Sequence, residues 1–320
     1  MLLRHMEYMV ALSRERHFGR AAAACKVTQP ALSSALKALE TELGTPIVQR
    51  HQRFEGFTPE GERIIEWCRR ILADRGAMLR ELETFRSGLS GRVRLGIAPS
   101  AVPLASLVAR RFRETHPNVQ FEIARVRHDQ MHEELNNFEV DAVITLMTDE
   151  VTRFASRTLF MGHMVAVLTA ESDLIRGATI SWAKAGALPL CLLARHTAER
   201  RAIDASFRAS HVNPEPILEA DSIFDLVLHI LEGDCITILP QWVVQLIPAA
   251  MLTRTVVLTA PETPCEISLL WVDISEPAPL SKALIALIET LQEGGEIARF
   301  LNTGRIFFPS QAMAKSIGHL

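Results

Sequence analysis

Residues 26–44, KVTQPALSSALKALETELG, carry apolar residues at helical spacing: Leu32, Ala35, Leu36, Leu39 and Leu43. Recurrence at steps of three and four sets one face of an α-helix against a core. Thr28 stands where a cap accepts a free N–H, and Pro30 sits in the first turn, where its missing N–H is harmless. The opposite face carries Gln29, Ser33, Ser34 and Lys37, short or polar groups suited to a groove of DNA. An ordinary amphipathic surface helix is the alternative for this stretch taken alone. Upstream, Leu3, Met6, Val10 and Ser13 share one side of a helix, and FGRAAAAC forms a second, short helix of small residues. Helix, short helix, tight turn and longer helix make the helix-turn-helix arrangement, whose last helix enters the major groove.

The pattern then shifts. Gly44 ends the helix as a left-handed cap, and TPIVQRHQRFEGFTPEG alternates like a two-stranded wing with Arg50, His51 and Arg53 grouped on it. Arginines there meet phosphate oxygens, which position a protein without reading sequence; plain surface solubility is the alternative. Thr58 and Pro59 open a long helix in which Ile64, Cys68, Ile71, Arg75, Met78, Leu82 and Phe85 alternate by four and three. This heptad seam, charged only at Arg75, predicts dimerisation through Ile64, Cys68, Ile71, Met78, Leu82 and Phe85. At ~1.5 Å per residue the helix spans roughly 45 Å. Packing on its own domain is the alternative reading.

From Gly91 strands and helices alternate: RVRLGIA, VPLASLVARRFRETH, VQFEIARV, then HDQMHEELNNFEVDAVIT. A second run of the same kind extends through HMVAVLTAES, PLCLLARHTAERRAIDASFRASHV and PILEADSIFDLVLHILEGDCITILP to TVVLTA. The chain returns through EISLLWVD to a last helix, LSKALIALIETLQ. Such alternation predicts a mainly parallel sheet with helices on both faces.

Composition narrows the class. The 320 residues are 48% hydrophobic and 22% charged, which fits a globular chain of two or three domains. No apolar run reaches the ~18 residues of a membrane span, and the start lacks a signal-peptide core, so a cytoplasmic location is expected. Five scattered cysteines without a C-x-x-C pair fit reduced thiols. Residues 1–88 hold 14 basic and 11 acidic residues, against 20 and 26 in the remainder. That sign suits a DNA-binding end joined to an acidic body. Neither a Gly-rich phosphate loop nor a Gly-x-Ser-x-Gly elbow is present, so no enzyme activity or cofactor is expected. His128 and His132 stand one helical turn apart, but no third metal ligand is evident beside them and no metal site is assigned.

RAAAACKVTQPALSSALKALETELGTPIVQR, followed by RFEGFTPEGERI, resembles the winged helix-turn-helix of LysR-type transcriptional regulators. Ala21, Ala22, Thr28-Gln29-Pro30-Ala31, Ser33, Leu39-Glu40, Leu43-Gly44 and Arg50 fill the family pattern. Cys25 replaces a leucine and reads as a small core residue, Thr28 replaces serine, Ser34 an arginine and Val48 a phenylalanine. EGDCITILP is similar to the family's Gly-x-Gly-Ile-x-x-x-Pro run. The resemblance covers residues 1 to about 300 and implies an α+β multidomain fold. A winged helix-turn-helix (1–58) and a linker helix (59–89) precede a periplasmic-binding-protein-like effector domain (91–300). Its two α/β subdomains take about 91–161 with 267–300, and about 162–266. Residues 301–320 form an extension with no assigned role.

The implied partners are operator DNA, a small anionic or carboxylate effector, further copies in a homodimer or homotetramer, and RNA polymerase. DNA contacts fall to Thr28, Gln29, Pro30, Ser33, Ser34, Lys37, Arg50 and Arg53. Ligands of open α/β folds sit at the carboxyl ends of strands, which selects Ser100, Ala101, Val102, His128 and Thr145 from one subdomain. Thr197, Ser222 and Ile236 come from the other. A thiol-based redox regulator using Cys191, Cys235 or Cys265 is the alternative within this fold, and a cytosolic solute-binding protein is the alternative outside it.

Overall fold

A computed structural model describes residues 2–50, 54–87, 89–148, 154–245, 247, 251–273 and 277–303. The chain forms two compact units: Met1–Leu89 with Glu133–Glu139 and Glu276–Pro279, and the remainder.

In the first unit, α1 (Leu3–Glu15), α2 (Phe18–Ala24) and α3 (Gln29–Leu43) precede an antiparallel pair, β1 (Val48–Arg50) and β2 (Phe54–Phe57). Helix α4 (Pro59–Ser87) follows. Met6, Met9, Leu12, Ala21, Ala22, Leu32, Leu36, Leu39, Ile47 and Phe57 close one core. The buried face of α1 is therefore centred on Met9 and Leu12, not on the expected line through Leu3 and Val10: Leu3 is exposed and Val10 only packs on the core's edge. Leu43 is exposed too, because the stripe ends one turn before the left-handed Gly44. Cys25 is half-buried and closes α2 with its N–H on the Ala21 carbonyl.

Helix α4 corrects the dimerisation seam at Cys68. That thiol is buried in the unit's own core beside Ile65, and Ile64 and Ile71 pack against the same cluster. A spacing of three and four serves a helix lying on its own domain as well as one facing a partner, and the first turns of α4 rest on α1, where Arg69 Nη2 donates to Ser13 Oγ at 3.0 Å. Met78 is exposed; the side chains of Leu82 and Phe85 lie outside the described residues.

From residue 90 the chain runs β3 (Gly91–Ile97), a 3-10 turn (Pro99–Ala101), α5 (Val102–Thr115), β4 (Val119–Arg125), α6 (Met131–Asn136, which from Glu133 on belongs to the first unit), β5 (Ala142–Leu146) and β6 (Ala155–Thr169). Next come β7 (Thr179–Ser181), α7 (Trp182–Ala185), β8 (Leu190–Leu193), α8 (Ala198–Ala209), β9 (Leu218–Ala220), α9 (Ile223–Glu232) and β10 (Ile236–Pro240). It closes with α10 (Gln241–Val244), β11 (Thr253–Thr259), β12 (Pro264–Trp271), α11 (Pro279–Glu293) and α12 (Glu296–Thr303).

Strands follow the order β4-β3-β5-β12-β6-β10-β8-β9, with β11 on β6 and β7 on β11. Alternation of strand and helix produces the parallel pairs β3/β4, β3/β5, β8/β9 and β10/β8. Strand β6 is the crossing element: residues 155–163 pair with β12, and residues 164–167 pair with β10. Helix α12 runs across the expected boundary at residue 300, from the effector domain into the extension without an assigned role; Ile297, Phe300 and Leu301 are buried, and Glu296 pairs with Arg111. Among the described residues no helix is long and apolar enough to cross a membrane.

Candidate DNA-reading helix and effector cleft

Helix α3 begins at Thr28, whose Oγ1 accepts the Ala31 N–H at 3.4 Å, and Pro30 occupies its first turn. With Leu32, Leu36 and Leu39 held in the core, Gln29, Pro30, Ser34 and Lys37 are exposed and Ser33 is half-buried at the edge of that face. The far end of α3 is tied to the wing. Glu40 Oε1 accepts the Ile47 and Val48 N–H groups at 3.0 and 3.2 Å. Phe54 stacks edge-on with Phe18 and Phe57, seating the second wing strand on α2. Arg50 ends β1; its side chain, His51 and Arg53 lie outside the described residues.

In the second unit, Ser100 and Ala101 follow the carboxyl end of β3 and are fully buried. The Ser100 N–H donates to Glu199 Oε1 at 2.7 Å, and its carbonyl accepts the Trp242 indole N–H at 3.1 Å. Glu199 comes from the first turn of α8, so a carboxyl group 99 residues further along the chain occupies the turn that follows β3. Burial pushes the Glu199 carboxyl above the usual carboxylate range, and the hydrogen bond from the Ser100 N–H offsets this only in part. Glu199 Oε2 and Ser100 Oγ meet hydrogen-bond geometry with no described group. The next residue points the other way. Arg200 is buried against its own sheet, bonded to the Leu193 carbonyl, Asp204 and Glu219.

The other selected residues are spread around this bond. Thr197 caps α8, with Oγ1 donating to the Ala194 carbonyl at 2.8 Å and accepting the Arg200 N–H at 3.2 Å. His128 is buried; its N–H donates to the His196 carbonyl at 2.9 Å, and its Nε2 lies 3.3 Å from Thr148 Oγ1. Thr145 is buried inside β5, between β3 and β12. Val102 and Ser222, the cap of α9, line a groove of about 320 Å³ with Pro99, Phe224 and Arg125. A second cavity, about 600 Å³, lies between α8 and the crossing strands and is lined by Thr148, Arg201, Ser206 and Cys265.

Ile236 is a correction. It starts β10, paired with Leu190 at the start of β8, and is therefore at the amino end of the parallel strands. The carboxyl end of β10 leads through Pro240 to Trp242, which is the residue that reaches Ser100.

Residues 3–62 match the bacterial regulatory helix-turn-helix proteins of the lysR family, and residues 86–294 match the LysR substrate binding domain. The chain belongs to the LysR family of transcriptional regulators. It is 27% identical to the DNA-binding transcriptional dual regulator OxyR of Escherichia coli K12 over 75% of this chain and 79% of that protein. The E. coli regulator XapR is 33% identical over 56% of this chain and 61% of its own. In fold, this LysR-type regulator is similar to full-length OxyR from Pseudomonas aeruginosa (TM-score 0.65, 21% identity, 91% of this chain and 98% of that chain). The LysR-family regulator CbnR in complex with its target DNA gives a TM-score of 0.58 at 16% identity, over 91% and 99% of the two chains.

Two residues that meet at Ser100 were not selected from sequence. Glu199 looks like an acidic residue favouring the positive end of α8, and Trp242 like an apolar residue beyond a strand; each acquires its role from a contact about 100 or more residues away in the chain. The thiols are buried as well: burial pushes Cys191 and Cys265 up to about 12 and raises Cys235. Thiols held protonated are poor nucleophiles. His132 stacks on Phe154 while His128 meets Thr148, so the two histidines do not converge on one point.

Proposed function

We propose that this regulator reads operator DNA with the exposed face of α3 and answers a small carboxylate in the cleft of its second unit. Gln29, Ser33, Ser34 and Lys37 address base edges and backbone, Thr28 and Pro30 set the helix start, and Arg50 and Arg53 hold phosphates from the wing. Two copies pair along the outer part of α4 around Met78, Leu82 and Phe85, bringing two heads to two half-sites. It acts by binding, without a catalytic step, in the cytoplasm, with RNA polymerase as a further partner.

The observation that carries the effector reading is the buried Ser100–Glu199 bond at 2.7 Å. A backbone N–H at the end of a strand, already holding a carboxyl group from across the cleft, is an acceptor-hungry position that an external carboxylate can take over. Exchange of Glu199 for a ligand frees α8 from the turn at Ser100 and lets the subdomains change angle. The ligand shifts the population toward whichever assembly it binds more tightly.

Both halves are testable on the full-length protein. Gln29→Ala and Ser33→Ala should each cost roughly 1–3 kcal/mol of specific operator binding by fluorescence anisotropy while leaving non-specific binding in place. Unchanged specificity would remove α3 from base reading. A thermal-shift screen of small carboxylates should yield a stabilising class, and Glu199→Ala should tighten its binding because no internal carboxyl group has to leave. No stabilising carboxylate, or weaker binding by Glu199→Ala, would overturn the exchange.

A further inference from the structure

A second set of groups gathers at the opposite end of the parallel strands. Cys191 lies in β8 and Cys235 directly precedes β10, the neighbouring parallel strand, where Ile236 pairs with Leu190 and Thr237 with Cys191. Their sulfurs are 3.3 Å apart. His229, in the last turn of α9, brings an imidazole to the same place, so that one ligand atom from each of the three residues lies within 4.8 Å of the others. Both thiols are buried, whereas His229 is exposed, which leaves a solvent side for entry.

We propose that Cys191, Cys235 and His229 form a binding site for a thiophilic d10 cation, Zn²⁺ or Cu⁺. Two thiolates and an imidazole are the donor set such ions select, whereas harder cations prefer oxygen. With Zn–S at ~2.3 Å, tetrahedral coordination sets the sulfurs about 3.8 Å apart, so binding asks them to part by about half an ångström. Zn²⁺ takes water as its fourth ligand on the open side, and Cu⁺ is satisfied by the three residues. Each thiol gives its proton to solvent as its sulfur binds, two protons per ion, with no change of oxidation state. A disulfide would use the same two sulfurs but gives the imidazole no part, and the approach of His229 favours the cation. Once bound, the ion joins the last turn of α9 to β8 and β10. It thereby braces the helix whose first residues, Ser222 to Phe224, line the groove beside Val102.

The test uses tag-free, reduced, metal-free full-length protein. It is titrated with Zn²⁺ against a chromogenic zinc chelator and, under anaerobic conditions, with Cu⁺ against a competing copper chelator; the tighter arm identifies the ion. Co²⁺ serves as a spectroscopic reporter through thiolate-to-cobalt charge transfer. The expected result is one ion per chain, with charge-transfer absorption that disappears in Cys191→Ala and Cys235→Ala. Because those two positions are buried, His229→Ala is the deciding variant: it should weaken binding by an order of magnitude or more while the metal-free melting curve stays unchanged. Cys25→Ser should bind as the parent does. Binding that survives His229→Ala, or a titration in which neither ion is held, overturns the site. So does an oxidised Cys191–Cys235 pair that forms in the presence of either ion.

Discussion

Burying a carboxyl group on a backbone amide removes it from water, and the charged form suffers most. At Glu199 the folded chain therefore keeps its proton to a higher pH than the unfolded chain does. Between the ordinary carboxylate value and the raised one, the folded state binds more protons, so stability declines as pH rises through that window. The melting temperature of the parent should fall relative to Glu199→Gln across it, and the two curves should converge at acid pH. Parallel curves would mean that Glu199 does not titrate separately from its unfolded form. Sequence could not single it out: in HTAERR, Glu199 and Arg200 both look like surface charges, and only the packed α8 sends one across the cleft and the other into its own sheet.

Elements are coupled at two close approaches in the DNA-binding unit. Glu40 joins α3 to the wing through two backbone N–H groups, and Gly61 lets α4 pass against Ile47, the residue just before the wing's first strand. A Cβ at Gly61 would lie 2.1 Å from the Ile47 carbonyl oxygen, a clash with backbone that no side-chain rotation relieves. Gly61→Ala should destabilise the protein by about 1–3 kcal/mol as overpacking does, and Glu40→Ala by about 1.5–3 kcal/mol for the lost charged acceptor, both read by chemical denaturation. Glu40→Gln keeps an acceptor and should cost less. The helices themselves were legible because caps and periodicity are local: Thr28, Pro30 and Gly44 delimit α3 in the chain as they do in the structure. The burial side of α1 and of early α4 was less so, since Val10 against Met9, or Cys68 against Ile65, differ by amounts that only a neighbouring helix resolves.

Across the whole molecule, the proposed pairing of two copies rests on what α4 leaves uncovered. Cys68 is used internally, and Met78 is exposed on the helix beyond it. Met78→Glu should shift the sedimentation of the full-length regulator toward monomer and lower operator affinity by more than its effect on the melting temperature explains. A change in melting with assembly intact would place Met78 outside the interface.

By itself the sequence determined the membership of the LysR family, the order of the longer helices and strands and the polar face of α3, because these follow from residues close together in the chain. Tertiary structure decided which groups from distant segments meet: Glu199 with Ser100, Trp242 with the Ser100 carbonyl, and His229 with Cys191 and Cys235. The physical reason is that such meetings depend on strand order and on how far each strand runs before it turns. Ile236 shows the consequence, for a motif recognised correctly was placed at the wrong end of its strand.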